Sequence, residues 1–272
     1  MERQRQQWDR VAAGWEKWWR TIEDGAQHVN DRLIDLADVA PGKRVLDIAT
    51  GIGEPALSVA RRVGPAGRVV ATDISKQMLD IARIRASTSG LTNIAFIEAD
   101  AERLDFPDHS FDAIFCRWGI TSLPDHPNLL VKIERMLTPN GSFATSVWDE
   151  ASRLPLTSIT ITVAQEVFHS APPRPEPPPE APQDPLEGVM ARAGFTDVRT
   201  EKLTVALEFA STEAFTQYLV DVSPVVAALL SDQSPMRQAE YQHRLVQEFR
   251  RYAATDGSFR IRNVCICAVG RK

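Results

Sequence analysis

Apolar and polar positions along this chain follow two different periods, and the switch between them marks out its elements. From Trp8 onward, Val11, Trp15, Trp18 and Ile22 recur at spacings of three and four, with Trp19 beside them. That spacing predicts an amphipathic helix. Asp31 to Val39 reads as a second helix, closed by Pro41-Gly42. Beyond it, short β-rich runs alternate with helical ones. Arg44 to Ala49 reads as a strand and Pro55 to Val63 as a helix. Pro55 suits a first helical turn, where no amide donor is needed, and Gly64 suits its end. Arg68 to Ile74 is the next strand and Lys76 to Ser87 the next helix, with Gly90 past its end. Ile94 to Ala99, Phe111 to Trp118 and Ser142 to Trp148 complete the strands of this stretch. A helix over Leu129 to Leu137 precedes the last of them, stopped by Pro139-Asn140-Gly141.

Strands alternating with helices at this spacing imply parallel pairing, hence an α/β fold with a doubly wound sheet. After Trp148 the pattern loosens. Leu156 to Phe168 reads as a helix, Pro172 to Pro185 as an extended proline-rich connector, and Glu187 to Ala193 as a short helix ended by Gly194. Val198 to Phe209 and Phe259 to Val269 read as strands, with helical stretches near Thr212 to Leu230 and Met236 to Ala253 between them. The expected organisation is an N-terminal helical lid (1–40), a core (41–150), a helix and connector over the substrate site (151–195), and closing strands carrying cap helices (196–272).

Composition narrows the class. At 272 residues the chain can bury a sizeable core, and 43% hydrophobic with 25% charged residues is ordinary globular composition. The net charge of −5 and the lack of a long basic run give no nucleic-acid surface. No run of about 18 apolar residues appears, so a cytoplasmic protein without a membrane span is expected. Cys116, Cys265 and Cys267 lie in apolar strand-like stretches without metal-ligand spacing; they read as buried hydrophobes, and no metal is expected.

The chemistry-bearing segment runs from Val45 to Asp73. Val45-Leu46-Asp47-Ile48-Ala49-Thr50-Gly51-Ile52-Gly53-Glu54-Pro55 passes from a strand through a glycine turn into a helix. Such a turn lets backbone approach a ligand closely, and the helix start offers free amide donors. Asp73 ends the second strand, where a carboxylate can accept both hydroxyls of a ribose. Asp100-Ala101-Glu102 ends the third, on the same sheet edge. Ligands of open parallel sheets sit outside the strand carboxyl ends, so the three clusters converge on one crevice. Gly51-Ile52-Gly53-Glu54-Pro55-Ala56 also nearly fits a dinucleotide fingerprint. Against an NAD-dependent oxidoreductase stand the in-strand Asp47 and the lack of any Tyr followed four residues later by Lys.

Taken together, these motifs resemble class I S-adenosylmethionine-dependent methyltransferases. Val45 to Glu54 is similar to their first motif, in the Ala-Thr-Gly variant of the ubiquinone/menaquinone-biosynthesis C-methyltransferase group. Val69 to Ser75 with Met78 is similar to the second motif. Glu98 to Glu102, with Leu104-Asp105-Phe106-Pro107 and Ser110-Phe111-Asp112, is similar to the third. Arg117-Trp118-Gly119-Ile120 and Leu137-Thr138-Pro139-Asn140-Gly141 resemble the segments that follow, with Asn140 replacing one Gly. The resemblance covers about residues 40 to 150 and implies a Rossmann-like sheet of about seven strands with the last antiparallel. It implies S-adenosyl-L-methionine as cofactor, with Asp73 on the ribose, Ile74 and Met78 against the adenine, and Asp100 and Ala101 at the adenine edge. It further implies Gly51, Ile52 and Gly53 along the methionine portion and Asp47 supporting the turn or the amino group. Ala49, where many members have Gly, narrows the turn slightly, and Arg117 falls at the methionine end or else on the surface.

For the methyl acceptor the residues say less. Trp15, Trp19, Trp118 and Trp148 are the candidates for an apolar or aromatic acceptor, with the Trp-rich helix folding over the cofactor or simply packing on the sheet. A base is needed only if the acceptor loses a proton early, and His126, His169 and His243 show no partner in the sequence, so none is assigned. The run that usually marks nucleobase or glutamine amino acceptors is missing after strand four, and no Pro-Cys pair exists for cytosine attack. A small organic acceptor remains, with carbon, oxygen and nitrogen all open. A non-catalytic S-adenosylmethionine-binding module and an oligomeric assembly also stay open.

Overall fold

The computed structural model describes residues 2–120, 126–168 and 186–272. Its strands are β1 (Arg44–Ile48), β2 (Arg68–Asp73), β3 (Ile94–Glu98), β4 (Phe111–Arg117), β5 (Leu137–Trp148), β6 (Thr196–Phe209) and β7 (Phe259–Arg271). They form one sheet in the order β3-β2-β1-β4-β5-β7-β6. The pairs among β1 to β5 are parallel, and β7 runs antiparallel to both β5 and β6. The chain winds outward from β1 through β2 to β3, then restarts at β4 on the other side. The carboxyl ends of β1 and β4 therefore flank the switch point where such sheets hold ligands.

At the centre of the sheet both faces are buried, and the alternation within β1 and β4 shows it. In β1, Val45 faces one core while Leu46 and Ile48 face the other; in β4, Ala113 and Phe115 oppose Ile114 and Cys116. One face is covered by α1 (Glu2–Leu36), α2 (Ala56–Val63) and α5 (Glu150–Phe168), together with the cap helices inserted between β6 and β7: α7 (Thr212–Val222), α8 (Pro224–Leu230) and α9 (Pro235–Arg250). The other is covered by α4 (His126–Met136) and α6 (Leu186–Arg192). Helix α3 (Lys76–Thr88) follows β2, and its Ser75 cap accepts the Met78 amide.

Several boundaries differ from the sequence reading. The N-terminal region is one helix of 35 residues, not two. Its buried positions Val11, Ile22, Ala26, Val29 and Leu33 keep the helical period without a break. Gly25 does not interrupt it, because a Cβ there would stand 2.4 Å from the Ala206 carbonyl oxygen, so glycine serves close packing on β6. The stretch 212–230 is two helices, split where Ser223 caps the second by accepting the Val226 amide and Pro224 supplies no donor. Strand β5 starts at Leu137 and runs through Pro139-Asn140-Gly141, with Asn140 at φ 65 and a register shift opposite Phe111 and Ala113. The proline run 172–185 lies outside the described residues. No helix among the described residues is long and apolar enough to cross a membrane.

Candidate active site

Strand β1 delivers the chain to the switch point, and the backbone there turns sharply. Ala49, Gly51 and Gly53 all have positive φ, at 57°, 56° and 111°. The two glycines do different work. A Cβ on Gly51 would meet nothing within 4 Å, so its bare α-carbon borders open space. A Cβ on Gly53 would press on Leu57 at 3.1 Å and Ala82 at 3.3 Å, so Gly53 lets α2 and α3 close together behind the turn. Asp47 braces the same turn from inside β1: its Oδ2 accepts the Ala56 amide at 3.1 Å, an otherwise unpaired donor of α2. Burial pushes the Asp47 pKa up to about 7, against the pull of Thr50, Arg117 and the Ala56 amide.

Asp73 ties the second strand to the turn. Its Oδ2 accepts the Gly51 amide at 2.8 Å and its Oδ1 the Ser75 amide at 2.9 Å. Each oxygen keeps a further lone pair. Burial raises the Asp73 pKa to about 6 in spite of these amides. Asp100 caps a single 3-10 turn, Oδ1 accepting the Glu102 amide at 3.1 Å. Its Oδ2 is buried without a hydrogen bond, and the exposed Arg103 guanidinium stands 3.6 Å away.

Gly51, Asp73 and Asp100 border one cavity of about 120 Å³ that opens to solvent. Of the residues singled out from the sequence, Ala49, Gly51, Ile52, Asp73, Ile74, Met78, Asp100, Ala101, Arg117, Trp15 and Trp118 line it. Asp47 and Gly53 stand behind the turn rather than in the wall. Trp19 also stands outside the lining, with the guanidinium groups of Arg85 and Arg20 at 4.7 and 4.9 Å from its ring. Trp148 backs Trp118 in a stack with centroids 4.3 Å apart. The Arg117 guanidinium also stands over the Trp118 ring, 4.5 Å from its centroid.

Arg117 is neither a surface residue nor a free cation. Its side chain is buried, and its Nη atoms donate to both oxygens of Glu23 at 3.1 and 3.2 Å and to Asn30 Oδ1 at 2.9 Å. Burial works against the charged form, but Glu23 more than offsets it and the Arg117 pKa rises. Arg117 thus fastens α1 to the tip of β4.

Sequence reasoning missed other wall residues. Gln4 from α1, and Thr50, Glu54, Ala99 and Gly119, also line the cavity, beside Trp8 of the Trp-rich helix. Gln4, Trp8 and Trp15 lie on one stripe of α1, a spacing visible in the sequence, but nothing there says which part of the sheet the stripe faces. His126 opens α4, its side chain outside the described set, and His169 lies outside it altogether. Among the described residues no cluster of His, Cys, Asp or Glu has metal-binding geometry.

Comparison with known proteins agrees with this architecture. Residues 45–141 match a family described as a methyltransferase domain. A ubiquinone/menaquinone biosynthesis C-methyltransferase of Pseudomonas entomophila is 32% identical over 186 residues, spanning 63% of this chain and 72% of that protein. The YcgJ protein of Bacillus subtilis superposes with a TM-score of 0.55 at 18% identity, covering 90% of this chain and 98% of its own. Phosphoethanolamine N-methyltransferase 2 of Haemonchus contortus, solved with S-adenosyl-L-methionine, gives 0.55 at 18% identity, covering 94% of this chain and 57% of that one. At these identities the two structures share the fold with this chain.

Proposed function

Because the chain belongs to the class I S-adenosylmethionine-dependent methyltransferases related to the ubiquinone/menaquinone C-methyltransferases, we propose that this cavity methylates a small apolar or aromatic organic acceptor. The observation that carries the proposal is the meeting of Asp73, Gly51 and Asp100 with Trp15 and Trp118 around one space. The residues suit the cofactor. Gly51 leaves open space where a side chain would stand, Asp73 keeps lone pairs for ribose hydroxyls, and Asp100 Oδ2 has an unmet acceptor for an adenine amino group.

The cofactor's sulfonium, once bound, supplies the electrophilic methyl group. The chain's own part is to orient and to exclude water, which can supply much of such a rate. Asp73 and Asp100 fix the nucleoside, while the Gly51 turn admits the methionine portion. Trp8 and Trp15 wall the cavity from the α1 side and Trp118 from the β4 side, leaving an apolar approach for the acceptor. In this reading the first turns of α1 act as a lid over the cofactor.

Calorimetric titration with S-adenosylmethionine, S-adenosylhomocysteine and NAD tests the cofactor half. Micromolar S-adenosylhomocysteine binding is expected, lost in Asp73→Ala, and NAD binding in its place would overturn the reading. Product detection with hydroquinone, phenol and amine acceptors tests the other half; turnover of amines alone would remove the apolar, aromatic assignment.

A further inference from the structure

We propose that Glu54 is the positioning residue for the ammonium group of the cofactor's methionine portion, a role that rests on the cofactor reading above. Glu54 follows Gly53 directly and lines the cavity beside Ala49, Thr50 and Gly51, at the end where the methionine portion belongs. Its carboxylate is only 5% exposed, yet half of its hydrogen-bonding capacity is unspent. Ser58 donates twice to a single oxygen, Oε2, from its amide at 3.2 Å and its hydroxyl at 2.7 Å. This pair of bonds fixes the plane of the group; among the described residues Oε1 has no hydrogen bond, and the half-exposed Arg61 guanidinium stands 3.9 Å from it.

Two of the cations around it are engaged elsewhere. Arg117 is held by Glu23 and Asn30, and Arg85 donates to the Ile52 carbonyl at 2.7 Å while lying against Trp19. The buried Glu54 carboxylate lies near a second one, Glu23, and its own ion pair is the long one to the half-exposed Arg61; burial and that neighbour push its pKa up. A ligand ammonium placed against Oε1 supplies a nearer charge and a hydrogen-bond donor together. A structural carboxylate that merely capped α2 through Ser58 would need no such ligand, and glutamine would replace it, since the amide oxygen still accepts from Ser58.

The test separates the two by ligand. Wild type and Glu54→Gln are titrated with S-adenosylhomocysteine and with 5′-methylthioadenosine, which keeps nucleoside and sulfur but lacks the amino acid. S-adenosylhomocysteine is expected to weaken by about ten- to hundredfold, the range for a hydrogen bond between charged groups. 5′-Methylthioadenosine is expected to bind both proteins alike, which also reports that Glu54→Gln is folded. Ser58→Ala, which keeps the charge but frees its orientation, is expected to give a smaller loss confined to S-adenosylhomocysteine. Equal weakening of both ligands, or no weakening of either, would overturn the role of Glu54. If wild type binds neither ligand, the cofactor reading falls first and this inference with it.

Discussion

The methyl group of Ala49 and the bare α-carbon of Gly119 meet where β1 and β4 end. A Cβ built on Gly119 would stand 2.8 Å from the Ala49 Cβ and 2.9 Å from the Cys116 Sγ. Ala49 itself sits at φ 57, a left-handed backbone that costs a residue with a side chain about 1 kcal/mol or more. The methyl at the turn after β1 is thus matched by a missing one just past the neighbouring strand β4.

This pairing sets a double-mutant cycle. Gly119→Ala overfills the joint and is expected to cost about 1–3 kcal/mol in urea denaturation. Ala49→Gly relieves the backbone but loosens the unfolded chain, for a net change within about 1 kcal/mol. The double substitution should cost clearly less than Gly119→Ala alone. Strict additivity would mean that the two residues do not share this space.

A second cycle concerns Glu23 and Arg117. Removing one partner of a buried ion pair leaves the other charge uncompensated, typically about 3–5 kcal/mol. Glu23→Ala is therefore expected to destabilise by that order, because Arg117 would keep only its bond to Asn30. Replacing both partners by leucine and methionine should recover most of the loss. A cost under about 1 kcal/mol for Glu23→Ala would show that the pair does not fasten α1.

That pair also explains what the sequence left unread. The strand, turn and acidic-end pattern from Val45 to Asp100 is local, with each glycine and carboxylate next to the element it serves, so the core of the site was legible. Helix α1 was not legible as one element because its buried stripe contains Glu23 and Asn30. Both face inward to meet Arg117, 94 and 87 positions away, a partnership with no local signature. The same distance hid the burial of Arg117. Glu54 stands in the sequence only as the residue between Gly53 and Pro55, and the cavity lining shows that its side chain turns inward.

In the proposed cofactor site, Asp73 is expected to give ligand binding a pH dependence. Burial raises its pKa from 3.8 to about 6, while the Ser75 and Gly51 amides pull the other way. Ribose hydroxyls donate to the ionised form, so ligand affinity is full above this pKa and lost as pH falls through it. 5′-Methylthioadenosine should bind about tenfold more weakly at pH 5 than at pH 8. This ligand has no charged amino acid to add its own titration near Glu54. Asp73→Asn should bind weakly with a flat profile. An unchanged wild-type affinity down to pH 5 would remove Asp73 from the ribose.

The lid assignment of α1 has a natural cut point. From Gly14 onward the helix is anchored on the end of α7. A Cβ on Gly14 would fall 2.0 Å from the Asp221 carbonyl oxygen, Lys17 and Trp18 donate to the Asp221 carboxylate at 2.7 and 2.8 Å, and Trp15 donates to the Val222 carbonyl at 3.1 Å. Ahead of Gly14 the helix crosses the cavity instead. There Val11 and Ala12 pack on Ile52, Met78 and Ile81, and Asp9 accepts the Ser75 hydroxyl at 2.6 Å beside the Asp73 carboxylate. Deleting residues 2–13 should therefore leave the fold intact by circular dichroism, because the anchor and the Glu23–Arg117 pair remain. It strips Gln4 and Trp8 from the wall, and S-adenosylhomocysteine affinity is expected to fall at least about tenfold, the equivalent of about 1.4 kcal/mol. Asp9→Ala, which removes only the tie to Ser75, should give a smaller loss in the same direction. A folded truncation that binds S-adenosylhomocysteine as wild type does would mean that the tryptophan-rich turns pack the helix without covering the cofactor.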